Sequence, residues 1–242
     1  MSSYEKTITL YDDSIGSVSY VNHMGDDITV VNSARVSFGV QKSSLDGRDK
    51  RLINYLIKHK HTSTLEHNLV TFKFVVPLFV RSQHHRHRTW SYNEISRRYT
   101  DKDLQFYEPK RFRTQHESNR QASNEDELID PSYGTAHDTI VPTKSKTASQ
   151  VVAEHHQASL RLFDTLISKG VCREQARGVL PQNLYTEYYG TVNLNNLLKF
   201  ISLRTHEGAQ WEIQQAAKAC LEIATDLWPV TVNSYRKLRG EI

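Results

Sequence analysis

Between Gln83 and Tyr99 the chain reads Gln-His-His-Arg-His-Arg-Thr-Trp-Ser-Tyr-Asn-Glu-Ile-Ser-Arg-Arg-Tyr. Arg86, Arg88, Arg97 and Arg98 are interleaved there with hydroxyls, an amide and the aromatic rings of Trp90, Tyr92 and Tyr99. A guanidinium presents a planar fork of donors that grips a phosphate, or the edge of a pyrimidine, in a bidentate way. Ser91, Asn93 and Ser96 add short polar partners in what reads as a turn, and Glu94 is the only acid in the run. If a helix begun at Pro77 continues through this stretch, Gln83, Arg86 and His87 fall at i, i+3 and i+4 and share one face. A merely solvated basic face has no need of three aromatic rings. The segment therefore points to recognition of an anionic or heteroaromatic ligand.

Two other chemistries compete for the same residues. His59, His61 and His67 near Glu66, with His84, His85 and His87, have the composition of a metal-ligand set. Against it, Arg86 and Arg88 flank the second group and oppose a nearby divalent cation, and no HExxH spacing is present. No metal is expected. Ser96 beside arginines invites a nucleophile reading, but no His or carboxylate is placed by sequence to act as its base. Cys172 and Cys220, the only cysteines, are too few and too far apart for a disulfide framework or a four-thiolate zinc site. Cys220 falls on an apolar helical stripe and reads as a small core residue. His155 and His156 read as solvent-facing.

The elements that must position these groups are strands first and helices later. Ile8 and Leu10, then Val18 and Tyr20, have the two-residue spacing of half-buried strands. Asp27 is placed to cap a short helix carrying Ile28, Val31 and Ala34 inward, and residues 49–60 read as a helix with Leu52, Ile53, Leu56 and Ile57 on one face. Val70, Phe72, Phe74 and Val76 alternate as a strand that Pro77 ends, with Pro77 suited to the first position of a following helix. Residues 114–147 are polar, with a turn signal at Pro131-Ser132-Tyr133-Gly134, and read as an elaborated surface loop or short extra helices. Beyond them Val152, Leu160, Phe163, Leu166 and Ile167 mark a helix that Gly170 terminates. Leu194, Leu197, Leu198 and Ile201 mark another; Ile213, Ala217, Cys220, Ala224 and Leu227 mark the last, before Trp228-Pro229. The pattern predicts an α+β fold in one domain over residues 1–242, its N-terminal strands and short helices forming a mixed or antiparallel sheet.

Composition narrows the class. With 242 residues, 38% of them hydrophobic and 24% charged, the chain can bury a sizeable core. The longest apolar run, Leu69 to Val80, is broken by Thr71, Lys73 and Pro77 and falls short of the roughly 20 residues a membrane span needs. The first residues show no apolar secretory segment, so a cytoplasmic protein is expected. Residues 81–113 hold nine basic and four acidic side chains, more than the whole net charge of +4, which leaves the rest nearly neutral. A localised cationic patch suits a phosphate-bearing small ligand better than a surface coated for non-specific DNA binding.

The motifs resemble those of one family. Arg86-His87-Arg88, seven residues and Ser96 reproduce the RHRX7S signature of the flavin-dependent thymidylate synthases. Ala34-Arg35-Val36-Ser37-Phe38, His61-Thr62-Ser63-Thr64-Leu65-Glu66-His67 and Ala176-Arg177-Gly178-Val179-Leu180-Pro181 resemble further blocks of that family, in order. So do Thr191-Val192-Asn193, Leu203-Arg204 and Ala209-Gln210-Trp211-Glu212-Ile213-Gln214. The resemblance implies a methyltransferase that converts dUMP to dTMP, with 5,10-methylenetetrahydrofolate as carbon donor and NADPH as reductant through FAD. It implies a homotetramer whose active sites lie at subunit interfaces, with no stable nucleic-acid or membrane partner.

By the same resemblance, dUMP falls to Gln83, Arg86, Glu94, Ser96, Arg97, Arg98, Arg177 and Arg204. Arg204 matches the activating, catalytic arginine at the uracil edge. FAD falls to Ser37, His61, Ser63, Arg86, His87, Arg88, Glu94, Asn193 and Asn195. This chain departs from the family pattern at Ser63 (a threonine there), Arg97 (often glycine), Asn195 and Lys199 (Arg and Asn in some members) and Gly208 (histidine in some members). The reading from another class is a nucleic-acid-binding module using patch 81–113, with its aromatic residues as stacking platforms; a metal-dependent hydrolase is a third.

Overall fold

In the structure, a computed structural model, residues 4–133 and 146–240 are described. Five antiparallel strands form the central sheet: β1 (Thr7–Thr9), β2 (Ser17–Met24), β3 (Leu69–Pro77), β4 (Ser91–Glu94) and, late in the chain, a strand at Tyr185–Asn193. That late strand pairs with β3 over nine residues, from Leu69 opposite Asn193 to Pro77 opposite Tyr185, and carries β4 on its other edge. Val70, Phe72, Phe74 and Val76 are buried on one face, as their alternation predicts. Gly190 lies where a Cβ would come within 3.1 Å of ring atoms of both Phe74 and Trp90. The absent side chain is what lets Trp90 pack beside β4.

Between β2 and β3 lie α1 (Asp27–Arg35) and α2 (Gly47–Lys58), and α3 (Leu78–His84) follows β3. Among the described residues, the polar stretch is built of strands and turns and holds no extra helix: β5 (Phe112–Gln115) pairs with β6 (Ser123–Ile129), and β7 (Ser132–Tyr133) with β8 (Lys146–Thr147). The rest of the predicted loop, 134–145, lies outside the described residues. Next come α4 (Ala148–Ser168), α5 (Arg173–Ala176), β9 (the Tyr185–Asn193 strand), α6 (Leu194–Arg204), α7 (Trp211–Leu227) and α8 (Pro229–Leu238). The architecture is α+β with an antiparallel sheet. Leu194, Leu197, Leu198 and Phe200 of α6, with Ile213, Ala217, Cys220 and Ile223 of α7, close the core over Phe72, Phe74 and Tyr188. The alanines of α7 keep its contact with the sheet close. Among the described residues no helix is long and apolar enough to cross a membrane.

Several local expectations are corrected. Pro77 ends β3 and caps α3 from outside instead of opening it. Helix α3 stops at His84, so Gln83, Arg86 and His87 do not share one helical face. The cause is tertiary: Trp90 is drawn into the core, and the Tyr92 hydroxyl donates to the carbonyls of His84 (2.9 Å) and His87 (3.1 Å), which a continuing helix would use itself. Ser91 and Asn93 belong to a strand, not a turn. His156 is buried, stacked on Phe106, with Nδ1 2.8 Å from Glu108.

Helix α8 was not foreseen, and it explains Asp27. Asp26 is the cap of α1, accepting from Thr29 N at 3.0 Å. Asp27 is buried and instead caps α8, accepting from Val230 N (2.8 Å), Thr231 N (2.9 Å) and Thr231 Oγ1 (2.6 Å). Replacing Asp27 with alanine strands those donors and is expected to lower unfolding stability by about 2 kcal/mol. A urea titration checks it: the midpoint falls with an unchanged slope.

Candidate active site

Strand β4 delivers the RHRX7S serine. After Glu94 the chain leaves the sheet edge, with Ile95 N donating to Glu187 O (2.9 Å), and turns at Ser96, whose carbonyl accepts from Tyr99 N (3.0 Å) and Thr100 N (3.2 Å). Ser96 Oγ accepts from Arg98 N at 3.3 Å. This turn forms one wall of a cleft of about 550 Å³, with Arg81, Glu94, Arg97, Arg177, Gln182 and Thr186 among its lining. Glu94 accepts from Thr186 Oγ1 (2.6 Å) and stands 3.3 Å from Arg81 Nε. Arg97 is turned onto the backbone, donating to Lys102 O (2.8 Å) and Tyr185 O (3.4 Å), and burial lowers its pKa. Arg98 pairs with Glu174 at 3.4 Å. Arg177, presented by the short turn Arg177–Val179 after α5, is exposed and has no ion-pair partner among the described residues. The cleft thus keeps one uncommitted guanidinium opposite a tethered carboxylate, an arrangement for a phosphate on a polar scaffold.

A second group forms where α3 ends beside α6. Arg204, in the last turn of α6, donates from Nε to His87 Nε2 (3.1 Å) and from Nη2 to the Gln83 carbonyl (3.3 Å). Burial, then neighbouring Arg86, lowers the Arg204 pKa. Burial, and then the charge of Arg204, push His87 down to about 4. A neutral imidazole accepting at Nε2 carries its proton on Nδ1, so the pair fixes the tautomer. Arg86, His87, Arg88, Thr89, Asn196 and Lys199 line an adjoining groove of about 520 Å³. No carboxylate lines it, and Arg86, Arg88 and Lys199 are unpaired among the described residues. That donor set fits a diphosphate.

The His87 titration is testable. Its folded pKa lies below the ordinary 6.5, so between about pH 6.5 and pH 4 the unfolded chain takes a proton that the folded one refuses. Stability through this group is full above that window and falls as pH drops through it. Proton NMR of the imidazole C–H groups should show a midpoint near pH 4, and Arg204→Ala should raise it. A midpoint near 6.5 in the unsubstituted protein would remove the Arg204–His87 pair from the site.

The remaining site residues lie elsewhere. Ser37 sits exposed in the turn Val36–Phe38, and His61 and Ser63 are exposed at the turn Thr62–Leu65, whose Thr64 and Leu65 are buried. Asn193 caps α6, accepting from Asn196 N at 2.9 Å. Asn195 is buried and donates to Glu66 at 2.8 Å, so it holds the 62–66 turn; the neighbouring Asn196 is the amide that reaches the groove. The cleft and the groove share no lining residue, so within one chain Arg177 and Arg86 line separate recesses, and Arg204 lines neither. Arg81, Gln182 and Thr186 of the cleft, and Gln210 behind Gln83, have no site role in the sequence reading, although Gln210 stands in one of the family-like blocks. Arg81 carried a signal: it lies two residues before Gln83 in the same basic run.

The competing readings fare differently. Trp90 is buried and Tyr92 half-buried with its hydroxyl engaged, which leaves Tyr99 alone as an exposed ring for base stacking. Among the described residues no three His, Cys, Asp or Glu side chains gather as a metal site.

Comparison with known proteins agrees with the motif reading. A family model described as thymidylate synthase complementing protein matches residues 19–230. A flavin-dependent thymidylate synthase of Thermus thermophilus is 43% identical over 217 residues, covering 89% of this chain and 73% of that protein. The one from Thermotoga neapolitana is 39% identical over 223 residues, 92% of this chain and 91% of that protein. Among solved structures, a UMP/dUMP methylase from Streptomyces cacaoi bound with 5-Br dUMP superposes with a TM-score of 0.76 at 29% identity, covering 95% of this chain and 97% of that one. The chain belongs to the flavin-dependent thymidylate synthase family and is a methyltransferase of that fold.

Proposed function

We propose that the protein methylates dUMP to dTMP, using FAD, 5,10-methylenetetrahydrofolate and NADPH. The supporting observation is that α3 joins two cation-lined recesses: Arg81 lines the cleft of Arg177, and Gln83 tethers Arg204 beside the carboxylate-free groove. In this reading Arg177, Arg98 and the Ser96 turn take the nucleotide phosphate, and Glu94, fixed by Thr186, orients the sugar side. Arg204, held by His87 and Gln83, faces the pyrimidine edge and stabilises negative charge that develops on the ring, which raises the nucleophilic character of C5. Arg86, Arg88, Lys199 and Asn196 hold the flavin diphosphate. When bound, the flavin supplies the hydride chemistry.

Completion of the site by other subunits of a homotetramer belongs to the same reading. It is supported by Val36 and Phe38, 71% and 82% exposed on either side of Ser37, and by Leu203, 58% exposed beside Arg204. Exposed apolar residues of that size next to site residues mark a surface that another copy covers.

The purified protein is expected to be yellow, to bleach with NADPH in the absence of oxygen, and to reoxidise faster with methylenetetrahydrofolate when dUMP is present. UMP in place of dUMP tests the sugar preference. Protein that stays colourless when incubated with FAD overturns the reading.

A further inference from the structure

Behind the Arg204 group lies a buried acid that none of the roles above uses. Glu212, in the first turn of α7, is 4% exposed, and both its oxygens are taken. Oε1 accepts from Arg113 Nη2 (2.6 Å) and the Tyr107 hydroxyl (3.1 Å); Oε2 accepts from Gln210 Nε2 (2.9 Å). Arg113 stands on the β5–β6 hairpin, its Nε donating to Ser123 Oγ at 3.0 Å and its guanidinium lying 5.0 Å over the Trp211 ring. The carboxylate is thereby fixed from three directions.

A carboxylate only accepts, whereas an amide has one accepting and one donating end. Glu212 therefore obliges Gln210 to turn its NH2 inward, which leaves the Gln210 oxygen facing Gln83. That oxygen takes a hydrogen bond from Gln83 Nε2. The acid at the end of the row sets the sense of both amides. Gln83 Oε1 remains, with no protein donor among the described residues, while the Gln83 main-chain oxygen holds Arg204.

We propose that Glu212 is a positioning residue for the nucleotide: through Gln210 it fixes the Gln83 side chain with its oxygen outward, so that the site offers an acceptor at that point. This rests on the reading that Gln83 faces dUMP. The ligand must then bring a donor, and dUMP has two, the ring N3–H and the 3′-hydroxyl. A glutamine free to rotate would offer a donor as readily and would lose that discrimination.

The test uses the FAD-loaded enzyme and reads nucleotide binding from the change in flavin absorbance. Dissociation constants are measured for dUMP, for dCMP, which lacks the N3–H, and for 2′,3′-dideoxyuridine monophosphate, which lacks the 3′-hydroxyl. The unsubstituted protein is expected to favour dUMP at least tenfold over one of the two analogues. Glu212→Gln, which lets the row of amides reverse, should shrink that ratio threefold or more without loss of FAD. Gln210→Met keeps Glu212 with Arg113 and Tyr107, so it remains informative if the first variant fails to fold, and should do the same. Equal ratios in the unsubstituted protein and a folded variant, or no discrimination at all in the unsubstituted protein, overturn the relay. A holoenzyme that binds no pyrimidine nucleotide overturns the functional reading itself, and the relay with it.

Discussion

Arg204→Ala is expected to lower turnover by roughly 100- to 1,000-fold, about 3–4 kcal/mol, while FAD remains bound. The size follows from how the guanidinium is held. Two of its nitrogens are spent on the tether, Nε on His87 and Nη2 on the Gln83 carbonyl, so the group is fixed before substrate arrives. Half-burial and the nearby Arg86 act against its charge and lower its pKa, so a ligand gaining negative charge relieves what the empty site cannot. An interaction that strengthens as charge develops acts on the transition state more than on binding. The loss should therefore appear in kcat, with little change in KM for dUMP. Arg204→Lys keeps the cation but not the two-point tether, and should fall between the two. Steady-state rates with dUMP check this; an unchanged kcat in the alanine variant removes Arg204 from catalysis. The diphosphate groove lacks Arg204 among its lining, which is why flavin retention is expected.

The course of the chain was legible where a periodic apolar pattern met a conventional boundary. The alternation from Val70 to Val76 reads directly as β3, and Leu194, Leu197, Leu198 and Ile201 as α6. Gly170, with φ of 87°, ends the α4 region as its position predicts. What was not legible depended on partners distant in sequence. The end of α3 is set by Tyr92 and by the burial of Trp90, so a helix continued on local propensity runs too far. His156 looked solvent-bound because its stacking partner Phe106 and hydrogen-bond partner Glu108 lie 50 and 48 residues away. Helix α8 follows directly on Trp228-Pro229, where the sequence reads as the end of the last helix, and its cap comes from Asp27 at the other end of the chain.

The site divides in the same manner. The basic run and Ser96 were visible as motifs, and the structure brings Glu94, Ser96, Arg97 and Arg177 to one cleft. Of the row from Glu212 to Gln83, the sequence shows Gln83 as a site residue and Gln210 and Glu212 as members of one motif block, but not their contact; Glu212 lies on the inward stripe of α7, with Ala216, Ala219 and Ile223 below it. A carboxylate on such a stripe must have a fixed partner, and Arg113 lies 99 residues earlier, at the end of the basic segment 81–113. Propensity finds the helix; only the packed chain finds the counter-charge.

Arg177→Ala is expected to weaken dUMP binding by roughly 30- to 100-fold, about 2–3 kcal/mol, with FAD content and melting temperature unchanged. Of the cations around the cleft, Arg97 is turned onto two backbone carbonyls, Arg98 is paired with Glu174, and Arg81 stands against Glu94. Arg177 alone of these has no such commitment among the described residues, so a dianionic phosphate gains most from it. Its exposure predicts that the loss shrinks as salt is added, because screening weakens the interaction in the unsubstituted protein. The same exposure is why stability should not change, since nothing buried is left without a partner. Titration of dUMP into the flavin-loaded variant, at low and at moderate ionic strength, reads both effects. Loss of FAD from Arg177→Ala would mean that the cleft and the groove serve one ligand, against their separate linings. Retention of FAD with weakened dUMP would instead place the phosphate beside Ser96, and would leave Arg204 to act on the ring that the phosphate anchors.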